Sequence, residues 1–321
     1  MYELLTMGRI SVDVYPNQIG LGLEDVTSFG KYLGGSPSNV AVAAAKYGHK
    51  ASVITRVGDD PFGRYLRQEL KRYGADDQHV SVDPRLQTCV TFCAIRPPED
   101  FPLYFYGRFP SAPDLQIRPE DLDMTAIKET QIFWSTLTGM CQQPAASAQI
   151  QAHQQRDRQQ LSDQQHTILD LDYRPMFWDS YQQASQAAQE LLQHATIAIG
   201  NREECAVAVG DASPQEQADR LLEAGVRIAV VKMGAQGVLA KTASTQVVSA
   251  PVAVETVNGL GAGDAFGGAF THGLLSGWSL KKTLDFANAA GAFVAGQIAC
   301  SEAMPSEAEV LDFLQQRDRG L

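Results

Sequence analysis

The sequence predicts an α/β fold with a mostly parallel sheet and a small additional β-sheet. Strand-like apolar runs alternate with helix-like runs along most of the 321 residues, which is typical of parallel α/β architecture. The stretch 88–109 breaks that alternation with two strand-like runs and no helix between them. No linker or internal repeat divides the chain, so we predict a single domain over residues 1–321.

The first half of the chain begins the alternation. A strand is predicted at 3–7, a helix at 40–47, a strand at 51–57 and a helix at 61–73. Gly48 and Gly74 follow the two helices, where glycine commonly ends a helix. We expect segments at about 10–35 and 88–110 to supply the small sheet, which would lie beside the main one.

The second half continues in the same way. Strands are predicted at 132–135, 167–171, 197–200, 228–233, 238–241 and 252–257, and helices at 145–158, 181–193, 264–275 and 284–298. The glutamine-rich stretch 142–165 consists largely of helix-forming residues, which favours a solvated helix over a linker. The last helix is rich in alanine and glycine and apolar, so we expect it to be buried.

Composition limits the partners and the compartment. The net charge of −11 argues against binding to nucleic acid or to an anionic membrane. No uncharged apolar run is long enough to span a membrane, and the first residues do not have the pattern of a signal peptide. The five cysteines form no C-x-x-C motif, which favours reduced thiols over a metal site. We therefore expect a cytoplasmic protein without nucleic-acid or membrane partners.

The segment 258–266 carries the strongest functional signal. Gly259, Gly261 and Gly263 alternate there, and Asp264 follows at the start of a predicted helix. Glycines let a backbone approach a ligand, and a helix N-terminus attracts anions. Asp264 is then either the N-cap of the helix or a base beside a phosphate. We favour a base that takes the proton from a substrate hydroxyl while the amides hold the transferred phosphoryl group.

Two familiar nucleotide motifs are excluded. A dinucleotide fingerprint would place glycine three residues after Gly261, where this chain has Asp264. The chain contains no G-x-x-x-x-G-K-[ST] loop, which excludes the P-loop kinases.

Polar residues follow several predicted strands at the point where each strand ends. Ligands of open α/β sheets bind beyond the carboxyl ends of the strands, so these residues should converge on one site. They are Asp170, Asp172 and Arg174; Asn201 and Glu204; Lys232, Gly234 and Gly237; and Gly261 to Asp264.

Four segments of the chain resemble the motifs of one family. Gly34-Gly35-Ser36-Pro37-Ser38-Asn39, with Gly48, resembles the N-terminal signature of the ribokinase-like (PfkB) carbohydrate kinases. Gly261-Ala262-Gly263-Asp264 resembles their C-terminal signature, residues 201–204 their N-x-x-E element, and residues 232–237 their nucleotide-side glycine turn. The elements occur in family order and span nearly the whole chain.

The resemblance implies a three-layer α/β/α core with a mostly parallel sheet and a small β-sheet lid. It also implies ATP, Mg²⁺ and phosphoryl transfer to a primary hydroxyl of a sugar or sugar acid. A homodimer through the lid would cover the exposed strand edges of 88–109. In many relatives an Asp-Thr-Thr sequence precedes the box, and its aspartate helps to bind a monovalent cation. This chain has Asn258-Gly259-Leu260 there, which leaves K⁺ binding open.

The resemblance also implies roles for individual residues. Asp264 would be the base, the amides of Gly261, Ala262 and Gly263 the anion hole, and Arg174 a stabiliser of the transferred phosphoryl group. Asn201 and Glu204 would organise Mg²⁺ and its waters. The implied ATP-binding residues are Asn201, Lys232, Gly234, Gly237, Gly261, Gly263 and Asn288, and the implied substrate-binding residues are Asp13, Gly34, Gly35 and Asn39.

Two arginines suggest an acidic substrate. Arg108, next to Tyr106 and Gly107, and Arg174 could each bind a carboxylate with two parallel hydrogen bonds, which a neutral sugar does not need. The strings at 8–16 and 169–178 resemble a subgroup that acts on keto-deoxy sugar acids. The alternatives are that Arg108 is a solvated lid residue, that Arg174 only steadies phosphate, and that Tyr106 only packs in the lid.

A protein of another class is a further alternative. A ligand-binding or regulatory protein could use the same fold without catalysis. The intact Gly261–Asp264 box and the Asn201–Glu204 pair argue against it, because a binding protein could lose Asp264 without cost.

Overall fold

A computed structural model describes residues 1–98 and 100–318 of the chain. Its strands, in chain order, are β1 Leu4–Met7, β2 Ser11–Pro16, β3 Phe29–Gly34, β4 Ala51–Gly58, β5 Val80–Asp83, β6 Val90–Cys93, β7 Leu103–Tyr106, β8 Ile132–Thr136, β9 His166–Asp170, β10 Ile197–Asn201, β11 Ile228–Lys232, β12 Val238–Lys241 and β13 Gln246–Ser249. Its α-helices are α1 Ser36–Lys46, α2 Pro61–Arg72, α3 Met124–Glu129, α4 Ala145–Gln155, α5 Tyr181–Leu192, α6 Arg202–Val209, α7 Pro214–Glu223, α8 Ala262–Leu275, α9 Leu280–Ala295 and α10 Glu307–Asp318.

The large sheet has the strand order β13-β12-β11-β10-β9-β8-β1-β4-β5. Strands β11, β12 and β13 pair antiparallel at one edge, and all other pairs in this sheet are parallel. The central strands β1 and β8 are buried along their whole length, as expected for parallel strands covered by helices on both faces. The carboxyl ends of the parallel strands therefore lie along one edge of the sheet.

The small sheet has the order β3-β2-β6-β7. Strand β2 pairs antiparallel with β3 and parallel with β6, and β6 pairs antiparallel with β7. All four strands come from the two segments expected to supply this sheet. The prediction of a mostly parallel sheet with a small β-sheet lid is confirmed.

Helices α1 and α8 pack very closely. A Cβ atom at Gly268 would lie 2.3 Å from the Cβ of Ala43, so only glycine fits at this crossing. The two helices start near each other, and their first turns bring Asn39 and Asp264 into hydrogen-bond contact. Close helix packing one turn away thus positions two candidate site residues.

Several sequence predictions were wrong or incomplete. Residues 252–257 form no strand; the edge strand is β13, and the chain leaves the sheet at Pro251, which has no N–H to donate to a strand partner. Strand β5 and helices α3, α6, α7 and α10 were not predicted. The helix predicted at 284–298 is α9, which starts and ends earlier.

No helix in residues 1–98 and 100–318 combines the length and the apolar character that crossing a membrane requires.

Candidate active site

The carboxyl ends of the parallel strands and the small sheet enclose a polar cavity of about 190 Å³. Strands β2, β6 and β7 line it from the small sheet. From the large sheet it is lined by residues at or just after the ends of β1, β9, β10 and β11, together with the start of α1 and the segment 259–264. The charged residues that line it are Arg9, Asp13, Asp170, Asp172, Arg174, Glu204, Lys232 and Asp264. The predicted convergence of residues that follow the strands is therefore present in the structure. We call this space the polar cavity.

Asp264 lies in the first turn of α8 but does not cap the helix. The N-cap is Gly261, and no side chain caps this helix end. The half-buried Asp264 carboxylate instead accepts a hydrogen bond of 2.6 Å from Nδ2 of Asn39 and faces the polar cavity. The N-cap interpretation is thus excluded, and the carboxylate is free to act on a ligand.

Burial raises the pKa of Asp264, and the hydrogen bond from Asn39 partly opposes that rise. A carboxylate with a raised pKa accepts a proton more readily from a hydroxyl than an ordinary aspartate does. The environment of Asp264 therefore suits a general base.

The start of α8 offers donors for an anion. The first amides of a helix have no partner within the helix, and here they are those of Ala262, Gly263 and Asp264. Gly261 has φ of 79°, and a Cβ there would lie 2.7 Å from Sγ of Cys300. Glycine is thus required both by the left-handed backbone and by the close approach of Cys300.

Lys232 adds a positive charge at the same place. Its Nζ would lie 3.5 Å from a Cβ at Gly263, beside the first amides of α8. Burial alone would lower the pKa of Lys232, but attraction to Glu204 and Asp170 outweighs it, and the pKa is raised. The lysine therefore stays charged where a phosphoryl group would approach the helix.

The segment after β9 contributes a chain of charged groups. Arg174 Nε lies 2.9 Å from Oδ1 of Asp172, and both residues line the polar cavity. Burial raises the pKa of Asp170 well above its ordinary value, although Lys232 opposes the shift. The Arg174 charge is thus already paired with a carboxylate before any ligand binds.

Asn201 and Glu204 form a capping box at the start of α6. Glu204 N donates to Oδ1 of Asn201 at 2.9 Å, and Asn201 N donates to Oε2 of Glu204 at 2.6 Å. Glu204 lines the polar cavity, whereas the exposed Asn201 does not. The structure thus supports a direct role for Glu204 and an indirect one for Asn201, which fixes the glutamate.

The carboxylate of Glu204 fits a Mg²⁺ ion that keeps most of its waters. Across the described residues, no group of three or more His, Cys, Asp or Glu side chains is arranged to hold a metal. Mg²⁺ in kinase sites is commonly held by one or two carboxylates together with waters and phosphate oxygens, which one glutamate facing the cavity can support.

A second and larger cavity of about 590 Å³ adjoins the first and shares Lys232 and Gly263 with it. We call it the apolar cavity. Its walls come from the turn 234–238, the irregular segment 251–256, the start of α8 and the second half of α9. Five of the predicted ATP-binding residues line it: Lys232, Gly234, Gly237, Gly263 and Asn288. Asn288 Nδ2 donates to the carbonyl of Ala250 at 2.6 Å and so fixes the start of the irregular wall.

The predicted substrate-binding residues of the N-terminal half lie around Asp13. Its carboxylate accepts hydrogen bonds from Ser11 Oγ and Tyr15 OH, each 2.8 Å long. A Cβ at Gly34 would lie 2.0 Å from Cγ of Asp13, so Gly34 makes room for the aspartate and does not itself line the cavity. Gly35 and Asn39 do line it.

Two predicted substrate-binding residues lie away from the polar cavity. Arg108 is fully buried, and its Nη1 forms an ion pair of 2.7 Å with Oδ2 of Asp114. Its guanidinium also packs on the ring of Phe177 at 4.5 Å. Tyr106 is 61% exposed, since side chains alternate along β7 and it is Leu103 that lines the cavity. The expected contacts of Arg108 and Tyr106 with substrate are thus corrected by the structure.

The sequence reasoning missed other residues of the polar cavity. They are Arg9, Tyr15, Thr91, Leu103 and Cys300. Arg9 had a readable signal, because it follows β1 and the carboxyl end of a strand is where site residues occur. Cys300 had none, because only the fold brings it beside Gly261.

Curated proteins are similar to this chain over nearly its whole length. A 5-dehydro-2-deoxygluconokinase of Geobacillus thermodenitrificans is 30% identical to this chain over 319 residues, covering 98% of this chain and 93% of that protein. A protein of the same name from Clostridium perfringens is 29% identical over 321 residues, with the same shares covered.

Solved structures share the fold. An Escherichia coli protein provisionally described as ribokinase II, in complex with ATP and Mg²⁺, superposes with a TM-score of 0.88 at 23% identity, covering 98% of this chain and 100% of that one. A fructokinase of Vibrio cholerae with bound fructose, ADP and calcium ion has a TM-score of 0.82 at 26% identity, covering 98% and 99%. The sequence model described as pfkB family carbohydrate kinase matches residues 1–307. This chain therefore belongs to the PfkB family of carbohydrate kinases.

Proposed function

We propose that this carbohydrate kinase transfers the γ-phosphoryl group of ATP to the terminal 6-hydroxyl of 5-dehydro-2-deoxygluconate, a sugar acid of myo-inositol degradation. The observation that carries the proposal is the position of Asp264, which faces the polar cavity beside the free amides of α8. The names of relatives that align over nearly the whole chain support the choice of substrate.

The proposed step uses groups that already face one another. Asp264 takes the proton of the 6-hydroxyl, and the resulting oxygen attacks the γ-phosphorus in line with the leaving ADP. The amides of Ala262 and Gly263 and the Lys232 ammonium stabilise negative charge on the transferred group. Arg174, which lines the same cavity, also stabilises that charge.

ATP is proposed to occupy the apolar cavity, with its phosphates directed toward Lys232 and Gly263, the residues that both cavities share. Glu204, fixed by Asn201, would hold Mg²⁺ through its waters. When bound, Mg²⁺ neutralises phosphate charge and orients the phosphates.

The first test is the release of ADP with Mg²⁺ and ATP against four acceptors: 5-dehydro-2-deoxygluconate, 2-keto-3-deoxygluconate, fructose and ribose. We expect the highest kcat/KM with the first, and NMR of the product should show phosphate on the 6-oxygen. Preference for 2-keto-3-deoxygluconate would keep the mechanism and change the substrate. Preference for fructose or ribose would refute a sugar-acid kinase.

The second candidate, a kinase of 2-keto-3-deoxygluconate or another sugar kinase of the family, rests on the same cavities. The third, a ligand-binding regulatory protein, would show no turnover with any acceptor. Retention of Asp264 in an environment that raises its pKa favours an enzyme over that third candidate.

We also propose a homodimer formed through the small sheet. Strands β3 and β7 are its edges, and Phe29 and Tyr106 are exposed on either side of Phe92, with ring centroids 5.6 and 5.4 Å from it. Light scattering after gel filtration should give twice the monomer mass, and Tyr106→Glu should reduce it. A monomeric mass for the unmodified protein would refute the dimer.

A further inference from the structure

Three arginines lie in or near the polar cavity, and they differ in their counter-ions. Arg108 pairs with Asp114 outside the cavity lining, and Arg174 pairs with Asp172 at the rim. Arg9 has no carboxylate oxygen within 4 Å among the described residues, although it is only 7% exposed. Of the three arginines, Arg9 is therefore the one that forms no ion pair with a described residue.

The surroundings of Arg9 hold its guanidinium in place. The residue follows β1 and lines the polar cavity together with Asp13 and Asp264. Its Nη1 donates to Ser11 Oγ at 3.2 Å, and its Cζ lies 5.2 Å from the ring centroid of Phe105. Its buried Nε has no acceptor in the part of the chain that the structure describes. The guanidinium is therefore oriented by two contacts and still has donors to offer.

A buried cation without a counter-ion is costly, and proteins rarely keep one unless a ligand completes the site. Attraction to Asp13 and Asp264 offsets part of that cost from a distance. Those carboxylates, however, accept their hydrogen bonds from Ser11 and Tyr15 and from Asn39. The free donors of Arg9 thus remain for an acceptor that enters the cavity.

We infer that Arg9 binds the carboxylate of the sugar-acid substrate and gives the enzyme its preference for acids. This inference rests on the proposed function and deepens it by assigning the residue that recognises the acid. A guanidinium binds a carboxylate through two parallel N–H···O bonds, a geometry that neither a hydroxyl nor an ester reproduces. Arg9 takes the role that the sequence had suggested for Arg108.

The test compares 5-dehydro-2-deoxygluconate with its methyl ester, which has the same hydroxyls but no charge. For the unmodified enzyme we expect kcat/KM to favour the acid. In Arg9→Gln the value for the acid should fall about tenfold to a hundredfold, mainly through KM, while the value for the ester changes little. Arg9→Lys should recover part of the preference for the acid, because lysine keeps the positive charge but cannot form the two parallel hydrogen bonds.

Arg64→Gln is the matched control, because Arg64 is exposed and its pair with Asp59, at 3.8 Å, lies on the surface. In this variant, kcat/KM should be unchanged for both the acid and the ester. An unchanged KM for ATP and an unchanged melting temperature in Arg9→Gln would show that the variant is folded. Stabilisation of the unmodified protein by 5-dehydro-2-deoxygluconate in the absence of nucleotide should disappear in this variant.

Three outcomes would overturn the inference. Equal losses for acid and ester would mean that Arg9 acts on the phosphoryl group or on the cavity charge. An unchanged acid preference in Arg9→Gln would assign the carboxylate to another residue. An unmodified enzyme that accepts acid and ester equally would show no carboxylate recognition, although the proposed reaction would stand. Absence of turnover with the acid would instead refute the proposed function itself.

Discussion

The two adjoining cavities differ in both chemistry and construction. The polar cavity is lined by charged side chains drawn from both sheets and from segments as distant as Arg9 and Asp264. The apolar cavity is lined mostly by small and aliphatic residues, and all of its lining residues lie between 232 and 295 in the chain. Charged donors and acceptors select a ligand by geometry, whereas apolar walls mainly supply contact area. In the function that we propose, reaction and selectivity depend on the polar cavity, and the apolar cavity binds the nucleotide.

The largest expected effect tests the base. Asp264→Asn keeps the size and shape of the side chain, but the amide cannot accept the proton of the hydroxyl. We expect kcat to fall by about 10²–10⁴-fold, the usual contribution of a general base. ATP binding, measured by calorimetry, should be nearly unchanged, because the apolar cavity is intact. Retention of full turnover would show that Asp264 is not the base.

A smaller effect is expected at the junction of the cavities. Lys232→Met removes the charge beside Gly263 and should lower kcat by about 10²-fold, in line with the loss of one electrostatic contact to a developing charge. Lys241→Met is the matched control, since Lys241 pairs with Asp219 away from both cavities. If Lys232→Met changed only the KM of ATP, the lysine would act in ground-state binding alone.

The pH profile of activity tests whether Asn39 controls the pKa of the base, Asp264. The Asn39 amide stabilises the charged form of Asp264, so Asn39→Ala should raise the pKa of Asp264 further. Activity requires the ionised base, and the acid limb of kcat/KM should therefore move to higher pH. Ser301→Ala removes the hydroxyl that donates to Oδ1 of Asn39 and should leave that limb in place. An unmoved limb in Asn39→Ala would contradict the assignment.

The apolar cavity should respond more weakly. Asn288→Ala removes the bond that holds the carbonyl of Ala250 and so loosens the start of one wall. We expect the KM of ATP to rise by about fivefold, the equivalent of one ordinary hydrogen bond, and kcat to change little. Asn17→Ala, an exposed site on the small sheet, is the control. A large loss of kcat would mean that the two cavities are not separable.

The smallest effect concerns K⁺. The buried Asn258 donates from Nδ2 to the carbonyl of Ile298 at 2.7 Å and accepts from Leu260 N at 3.0 Å. An uncharged side chain thus holds the turn that leads into the anion hole. We expect equal rates in KCl and NaCl at the same ionic strength. Strong activation by K⁺ would show that a cation is nevertheless bound near this turn.

Local signals were readable from the sequence. The glycine box, the N-terminal Gly34–Asn39 segment and the glycine turn at 232–237 each depend on residues close together in the chain. They identified Asp264, Asn39 and Lys232 as candidates. Wrong expectations arose where one local pattern is compatible with two structures. The aliphatic alternation of 252–257 suits an edge strand, but the chain leaves the sheet at Pro251 and lines a cavity instead.

The sequence by itself determined the alternation of strands and helices, the carboxyl-end placement of polar residues and the chemistry of the Gly261–Asp264 box. Only the tertiary structure decided which arginines line the polar cavity. Strand direction and a buried partner, Asp114, take Tyr106 and Arg108 out of the cavity, while Arg9 lines it with no carboxylate oxygen within 4 Å among the described residues. The physical reason is that pairing and burial of a charge depend on residues distant in the chain, which no local pattern encodes.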